Sequence, residues 1–108
     1  MSALVEKQSK FAGMVANLIE FAQQLGYQVT LGEAWRTKEQ SELYASQGKG
    51  IKASKHCQRL AIDLNFFRGG VLITGKTDLE AMGLHWEALG GIWGGRFKRY
   101  DDSGHFEV

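Results

Sequence analysis

The segment Ala61-Ile62-Asp63-Leu64-Asn65-Phe66-Phe67 constrains the fold more than any other. Its side chains alternate, with Ile62, Leu64 and Phe66 on one side and Ala61, Asp63 and Asn65 on the other. That is the two-residue period of a β-strand with one face turned to a core. Arg68-Gly69-Gly70 then reads as a turn, and Val71-Leu72-Ile73 as the returning strand of a hairpin. Asp63 is out of keeping with this pattern, because aspartate is a poor strand former. On a solvated face it would need no explanation; otherwise it is there for its chemistry.

The rest of the chain supplies helices and short strands around this segment. Residues 3–25 read as one helix, with Phe11, Val15, Leu18, Ala22 and Leu25 recurring on one face and Gly26 as the stop. Tyr27 to Trp35 reads as a strand, with Val29 and Leu31 on one side. Thr37-Lys38-Glu39-Gln40 has the capping-box form and predicts a short helix to Gln47, followed by a loop from Gly48 to Lys55. Thr77-Asp78-Leu79-Glu80 has the same form and predicts a helix to Leu89. The glycine-rich stretch Gly90–Gly95, which holds Trp93, reads as a loop, and His105 to Val108 as a short terminal strand. A chain of 108 residues is expected to form one domain. The element pattern predicts the α+β class, with helices packed on a small antiparallel sheet.

Composition removes several function classes. Thirteen Lys and Arg against twelve Asp and Glu give a net charge of +1, without the basic excess expected of a nucleic-acid or anionic-membrane binder. No apolar run approaches the roughly 18 residues of a membrane span. Glu6 and Lys7 stand where a secretory signal would have its apolar core, so no signal peptide is expected. The single cysteine, Cys57, excludes an intrachain disulfide framework.

His56 lies just before the strand of Asp63, and His105 lies in the last strand with Glu107 on the same face. Two imidazoles and a carboxylate are ligand types that zinc accepts, and three protein ligands leave a fourth position open, as in catalytic sites. Cys57 adjoins His56, and adjacent side chains seldom converge on one ion, so it reads as a structural thiol. His85 reads as a surface or packing residue and Trp86 as core. Glu107 is either a group that orients a ligand or a solvated acid.

Ser54-Lys55-His56-Cys57-Gln58-Arg59-Leu60-Ala61-Ile62-Asp63 resembles the SxHxxGxAxD motif of the zinc D-Ala-D-Ala carboxypeptidase and L-alanyl-D-glutamate endopeptidase family. Asp102-Ser103-Gly104-His105 resembles that family's second motif, an acid three residues before the last zinc histidine. The segment from Trp86 to Phe97 resembles the one that precedes this motif in phage and prophage endolysins, and Ala34-Trp35-Arg36-Thr37 the family's upstream arginine segment. One departure is Arg59, where the family usually has glycine.

The resemblance implies a hedgehog/D-Ala-D-Ala peptidase-like fold and one zinc ion per chain, held by His56, Asp63 and His105. It implies Asp102 as general base, with Asp101 as rival, and Arg36 as the group that stabilises the oxyanion. Ser54 and Trp93 are expected to bind substrate, the alternatives being a loop cap for Ser54 and, as the commoner role of a tryptophan, core packing for Trp93. The implied partner is bacterial peptidoglycan, cut at the L-Ala–D-Glu bond by a monomeric lysin that accumulates in the host cytoplasm and leaves through a holin-made hole. D-Ala-D-Ala carboxypeptidase activity, a non-catalytic zinc-stabilised binding module and a metal-dependent nuclease remain alternatives.

Overall fold

The strand predicted by alternation is the centre of the sheet. A computed structural model describes residues 1–50, 54–98 and 100–108. Strand β2 spans Ala61–Arg68, and β1 (Gln28–Leu31) pairs antiparallel with it from Gln28↔Phe67 to Leu31↔Leu64. The other edge of β2 is shared. Strand β3 (Val71–Ile73) takes its final residues through the Gly69-Gly70 turn, where both glycines have positive φ. Strand β5 (His105–Glu107) takes its first residues, and β4 (Ile92–Trp93) pairs beyond β5.

Ile62, Leu64 and Phe66 are buried on one face of β2, as the alternation requires. Helix α1 (Ala3–Gln24) buries Phe11, Met14, Val15, Leu18 and Ala22 in the same core, and its first turn is capped by Ser2 Oγ, which accepts from Val5 N at 3.1 Å. Leu25 falls past the helix end and is 42% exposed, outside the stripe expected to include it. Helix α2 (Lys38–Ser46) starts as its capping box predicts, with Thr37 Oγ1 accepting from Gln40 N at 3.0 Å. Helix α3 (Glu80–Ala88) packs on α1 through an edge contact of Phe11 with Trp86 at 5.7 Å. His85 is a packing residue: it stacks on Phe21 at 3.9 Å and meets Asn17 Oδ1 at 2.7 Å. The predicted α+β class holds, and no helix among the described residues is long and apolar enough to cross a membrane.

Several local expectations are corrected. The second capping box does not form: Thr77–Leu79 lie in turns, and α3 starts at Glu80 without a side-chain cap. The first strand stops at Leu31 rather than reaching Trp35. The loop expected from Gly48 to Lys55 runs into a capped 3₁₀ turn, Lys55–Gln58, that the spacing did not predict, and residues 51–53 lie outside the described residues. The stretch Gly90–Gly95 is not a plain loop, because it contains β4 and the start of a 3₁₀ turn, Gly94–Arg96.

Trp93 leaves room for no side chain at Gly95 beside it or at Gly83 in α3. Its indole is fully buried, and a Cβ at Gly83 would lie 2.1 Å from it. Helix propensity favours alanine over glycine by about 1 kcal/mol, but overpacking a core costs about 1–3 kcal/mol. Gly83→Ala in α3 should therefore destabilise the protein, and a denaturant titration showing a stabilised variant would remove this packing argument.

Candidate metal centre

The β2–β5 register sets Asp63 directly opposite His105, with both side chains on the face turned from the core. His105 Nδ1 lies 3.1 Å from Asp63 Oδ1, and His105 Nε2 lies 2.8 Å from Glu107 Oε1. His56 arrives from the 3₁₀ turn Lys55–Gln58, whose cap is Ser54: its Oγ accepts from His56 N at 3.2 Å. His56 Nε2 is 3.4 Å from the same Asp63 oxygen, and the two imidazole rings are 5.0 Å apart. One ligand atom from each of His56, Asp63 and His105 falls within 4.8 Å of the others. The first and second motifs thus meet in space, as the sequence suggested.

Arg59 connects the turn to β2 in the left-handed conformation, φ 57° and ψ 36°. Glycine adopts this geometry freely, while an L side chain there costs about 1–2 kcal/mol. The Arg59 guanidinium lies over the Trp35 ring at 4.8 Å, a contact that offsets part of the strain. The departure from the family pattern therefore keeps the loop geometry that glycine would give.

Electrostatics favour a cation. Burial would raise the Asp63 carboxyl, but hydrogen bonds from His105 and His56 outweigh it and hold the group at about 2. Burial would lower the His105 imidazole, but its hydrogen bonds to Asp63 and Glu107 raise it to about 9. The centre is thus rich in negative charge that attracts a positive partner. His56 Nδ1 is buried without a hydrogen-bond partner among the described residues. Two nearly buried imidazoles and one carboxylate converging on a point fit a bound zinc ion by donor type.

A cavity of about 240 Å³ opens at this centre, and His56, Asp63, Asp102, His105 and Arg36 all line it. Asp102 Oδ2 is 3.8 Å from His105 Nδ1. Burial raises the Asp102 carboxyl, an effect partly opposed by His105. Asp101, the rival base, faces away. It accepts from Lys76 N at 2.9 Å and from Ser103 N at 3.0 Å, and it does not line this cavity. Arg36 Nε is bonded to Glu33 Oε1 at 2.5 Å, and Nη1 lies beside cavity-lining Gly50.

Trp93, expected to bind substrate, is corrected to a core residue. It is fully buried, and its Nε1 donates to Ser103 O at 2.9 Å. Trp86 Nε1 donates to Glu107 O at 2.9 Å, so the two indoles grip the chain on either side of His105. Ser54 lines the cavity and also caps the 3₁₀ turn. Cys57 points at Thr37 O, 3.8 Å away, and takes no part in the centre. Arg96 pairs with Glu87 at 3.0 Å through two nitrogens, away from the cavity.

Sequence reasoning missed Lys49, Lys55, Phe97 and Tyr100, which line the cavity, and Glu33 behind it. Nothing in their spacing marks them. The one available signal was the separation of Glu33 from Arg36 by three residues, an ordinary spacing for an ion pair.

A family model described as D-alanyl-D-alanine carboxypeptidase matches residues 47–108. The match covers more than half the chain and includes His56, Asp63, Asp102 and His105, and the chain belongs to this peptidase family. The crystal structure of the L-Ala D-Glu endopeptidase ChiX of Serratia marcescens is similar, with a TM-score of 0.69 and 20% identity over 90% of this chain and 78% of that one. This likeness shows the fold. No curated protein matches the chain.

The backbone at Arg59 yields a direct check. Arg59→Gly should hold stability or raise it by up to about 1 kcal/mol, whereas Arg59→Val should lower it by about 1 kcal/mol or more. Equal melting temperatures for the valine and glycine variants would contradict the left-handed assignment.

Proposed function

We propose that the protein is a zinc peptidase that hydrolyses the L-Ala–D-Glu bond of the peptidoglycan stem peptide, as a monomeric lysin of phage or prophage type acting at the cell wall after holin-type release from the host cytoplasm. The observation that carries the peptidase reading is the convergence of His56, Asp63 and His105 on one cavity that Asp102 also lines. Family membership supports it, since the family is zinc-dependent in general.

When bound, zinc supplies Lewis acidity toward a water and toward the scissile carbonyl. Asp102 takes the proton of the attacking water and returns it to the leaving amine. Its half-buried position suits this, because burial raises its affinity for that proton. Arg36 donates to the carbonyl oxygen as negative charge develops there, with its Nε bond to Glu33 fixing the guanidinium plane. Glu107 fixes the His105 ring by accepting from Nε2 and leaves Nδ1 for the metal. A non-catalytic zinc module would have no use for an acid on the cavity wall, and the chain's +1 charge disfavours a nuclease.

The choice of bond rests on the likeness of the Trp86–Phe97 segment to endolysins and of the fold to an L-Ala D-Glu endopeptidase. Cutting close to the glycan also detaches every cross-link on that stem, whereas trimming a terminal residue leaves the mesh intact. A second reading, D-Ala-D-Ala carboxypeptidase, draws on Lys49 and Lys55. They line the cavity and offer cations to a free terminal carboxylate. Mass spectrometry of digested peptidoglycan separates the two: the first predicts stem peptides with a new D-Glu N-terminus, the second only loss of one D-Ala.

Metal analysis should find close to one zinc per chain, and His56→Ala should lose most of it. Asp102→Asn should retain zinc and fold while losing roughly 10²–10⁴-fold in turnover. Asp101→Asn should lose little, since its carboxylate faces backbone amides outside the cavity. The opposite ranking of the two acid variants would assign the base to Asp101.

A further inference from the structure

Glu33 lies beside Arg36, His56 and Asp63 without lining their cavity. The segment that carries it is laced to the segments of His56 and Asp63 by backbone hydrogen bonds. Gly32 N donates to Asp63 O at 2.7 Å, Asp63 N to Glu33 O at 2.9 Å, and Arg36 N to His56 O at 3.3 Å. The approach is so close that a Cβ on Gly32 would lie 2.9 Å from Asp63 O. Glu33 is thereby held with its Oε1 bonded to Arg36 Nε and 4.0 Å from His56 Nδ1.

The two imidazoles of the centre differ in one respect. Each turns one ring nitrogen toward Asp63 and the other toward a glutamate. For His105 the outer bond is made, with Nε2 at 2.8 Å from Glu107. For His56 it is not: among the described residues Nδ1 has no hydrogen-bond partner, and it is buried in a residue only 2% exposed. A buried unpaired N–H costs about 1–3 kcal/mol, and metal-ligating histidines almost always donate their second N–H to an acceptor.

From this, and resting on the zinc reading above, we infer that Glu33 is a positioning residue that accepts from His56 Nδ1–H and ties this ligand to Arg36. A displacement of about 1 Å brings 4.0 Å into the usual hydrogen-bond range. Glu33 has room for it, its side chain being 29% exposed. A cation at Nε2 polarises the Nδ1–H bond and strengthens the donor. One carboxylate then orients the metal ligand and the oxyanion-binding guanidinium together.

Zinc dissociation constants, measured by competition with a chromophoric chelator, test this on the full chain and need no substrate. Glu33→Ala should weaken zinc binding about 10–100-fold. Glu33→Gln, nearly isosteric and still an acceptor, should fall between Glu33→Ala and wild type, and it serves if the alanine variant does not fold. Arg36→Gln should bind zinc within about threefold of wild type, a difference below about 0.7 kcal/mol, because Glu33 stays free to serve His56. In NMR spectra of the zinc-loaded protein, the His56 Nδ1–H signal should persist in wild type and be lost to exchange in Glu33→Ala. Wild-type affinity in both Glu33 variants would overturn the inference. So would equal losses in Glu33→Ala and Arg36→Gln, which would assign the effect to the ion pair. A wild-type chain that holds no zinc would overturn the metal reading itself, and the inference with it.

Discussion

The antiparallel pairing of β2 with β5 is the constraint on which the rest depends. Directly opposed residues in such a pair project their side chains to the same face, with Cβ atoms about 4.5–5.5 Å apart. Placing Asp63 opposite His105 therefore brings together two groups separated by forty-two positions in the chain. A slip of one residue would turn one of them into the core. The register is secured by what lies on the other face: Ile62 opposite Phe106, both buried, with Trp93 beside Phe106 in the next strand. The apolar side of the sheet thus sets the geometry of the polar side.

The two tryptophans extend this control along the chain. Trp86 Nε1 bonds the carbonyl of Glu107, and Trp93 Nε1 that of Ser103. Their large buried surfaces anchor the helix and strand that carry them. Their single polar atoms are spent on β5 and on the turn leading into it. The glycines nearby are the complement: Gly83, Gly91 and Gly95 lie where a Cβ would meet an indole ring. The glycine-rich segment that resembles a loop in sequence is a socket for two rings, and through them it fixes the chain on either side of His105. Trp93 supports the cavity from behind instead of lining it.

This division explains what the sequence revealed. Strand β2, α1 and the Thr37 cap were legible because each depends on local periodicity or on a side chain bonding its own backbone. The candidate ligands His56, Asp63 and His105 were legible as a group because two short motifs carry them. What stayed hidden depends on tertiary context. The second capping box competes with a turn in which Leu79 N bonds Gly75 O and Asp101 binds Lys76 N. The socket around Trp93 needs Gly83 of α3 and Gly95 of the following turn to meet at one ring, and Gly91 does the same for Trp86. Glu33 gains its position only because β1 and its extension lie beside β2. No spacing rule links Glu33 to His56, and Lys49 and Tyr100 reach the cavity from loops.

The two aspartates of the cavity show how surroundings push two carboxyls in opposite directions, as the proposed roles of ligand and base require. Asp63 is pressed between two imidazoles, and their hydrogen bonds outweigh its burial and keep it ionised. An ionised carboxylate is what a metal ligand must be. Asp102 lies at the edge, where burial is the dominant influence and His105 offsets it only in part, so its proton affinity rises. A carboxylate that will accept a proton is what a general base must be. Environments that push paired carboxyls in opposite directions are a recurring way to divide ligand from base or acid from base. Here the division follows from position alone: Asp63 is inside the β2–β5 pair with imidazoles on both sides, and Asp102 is in the turn that enters β5 with only one imidazole within 4 Å.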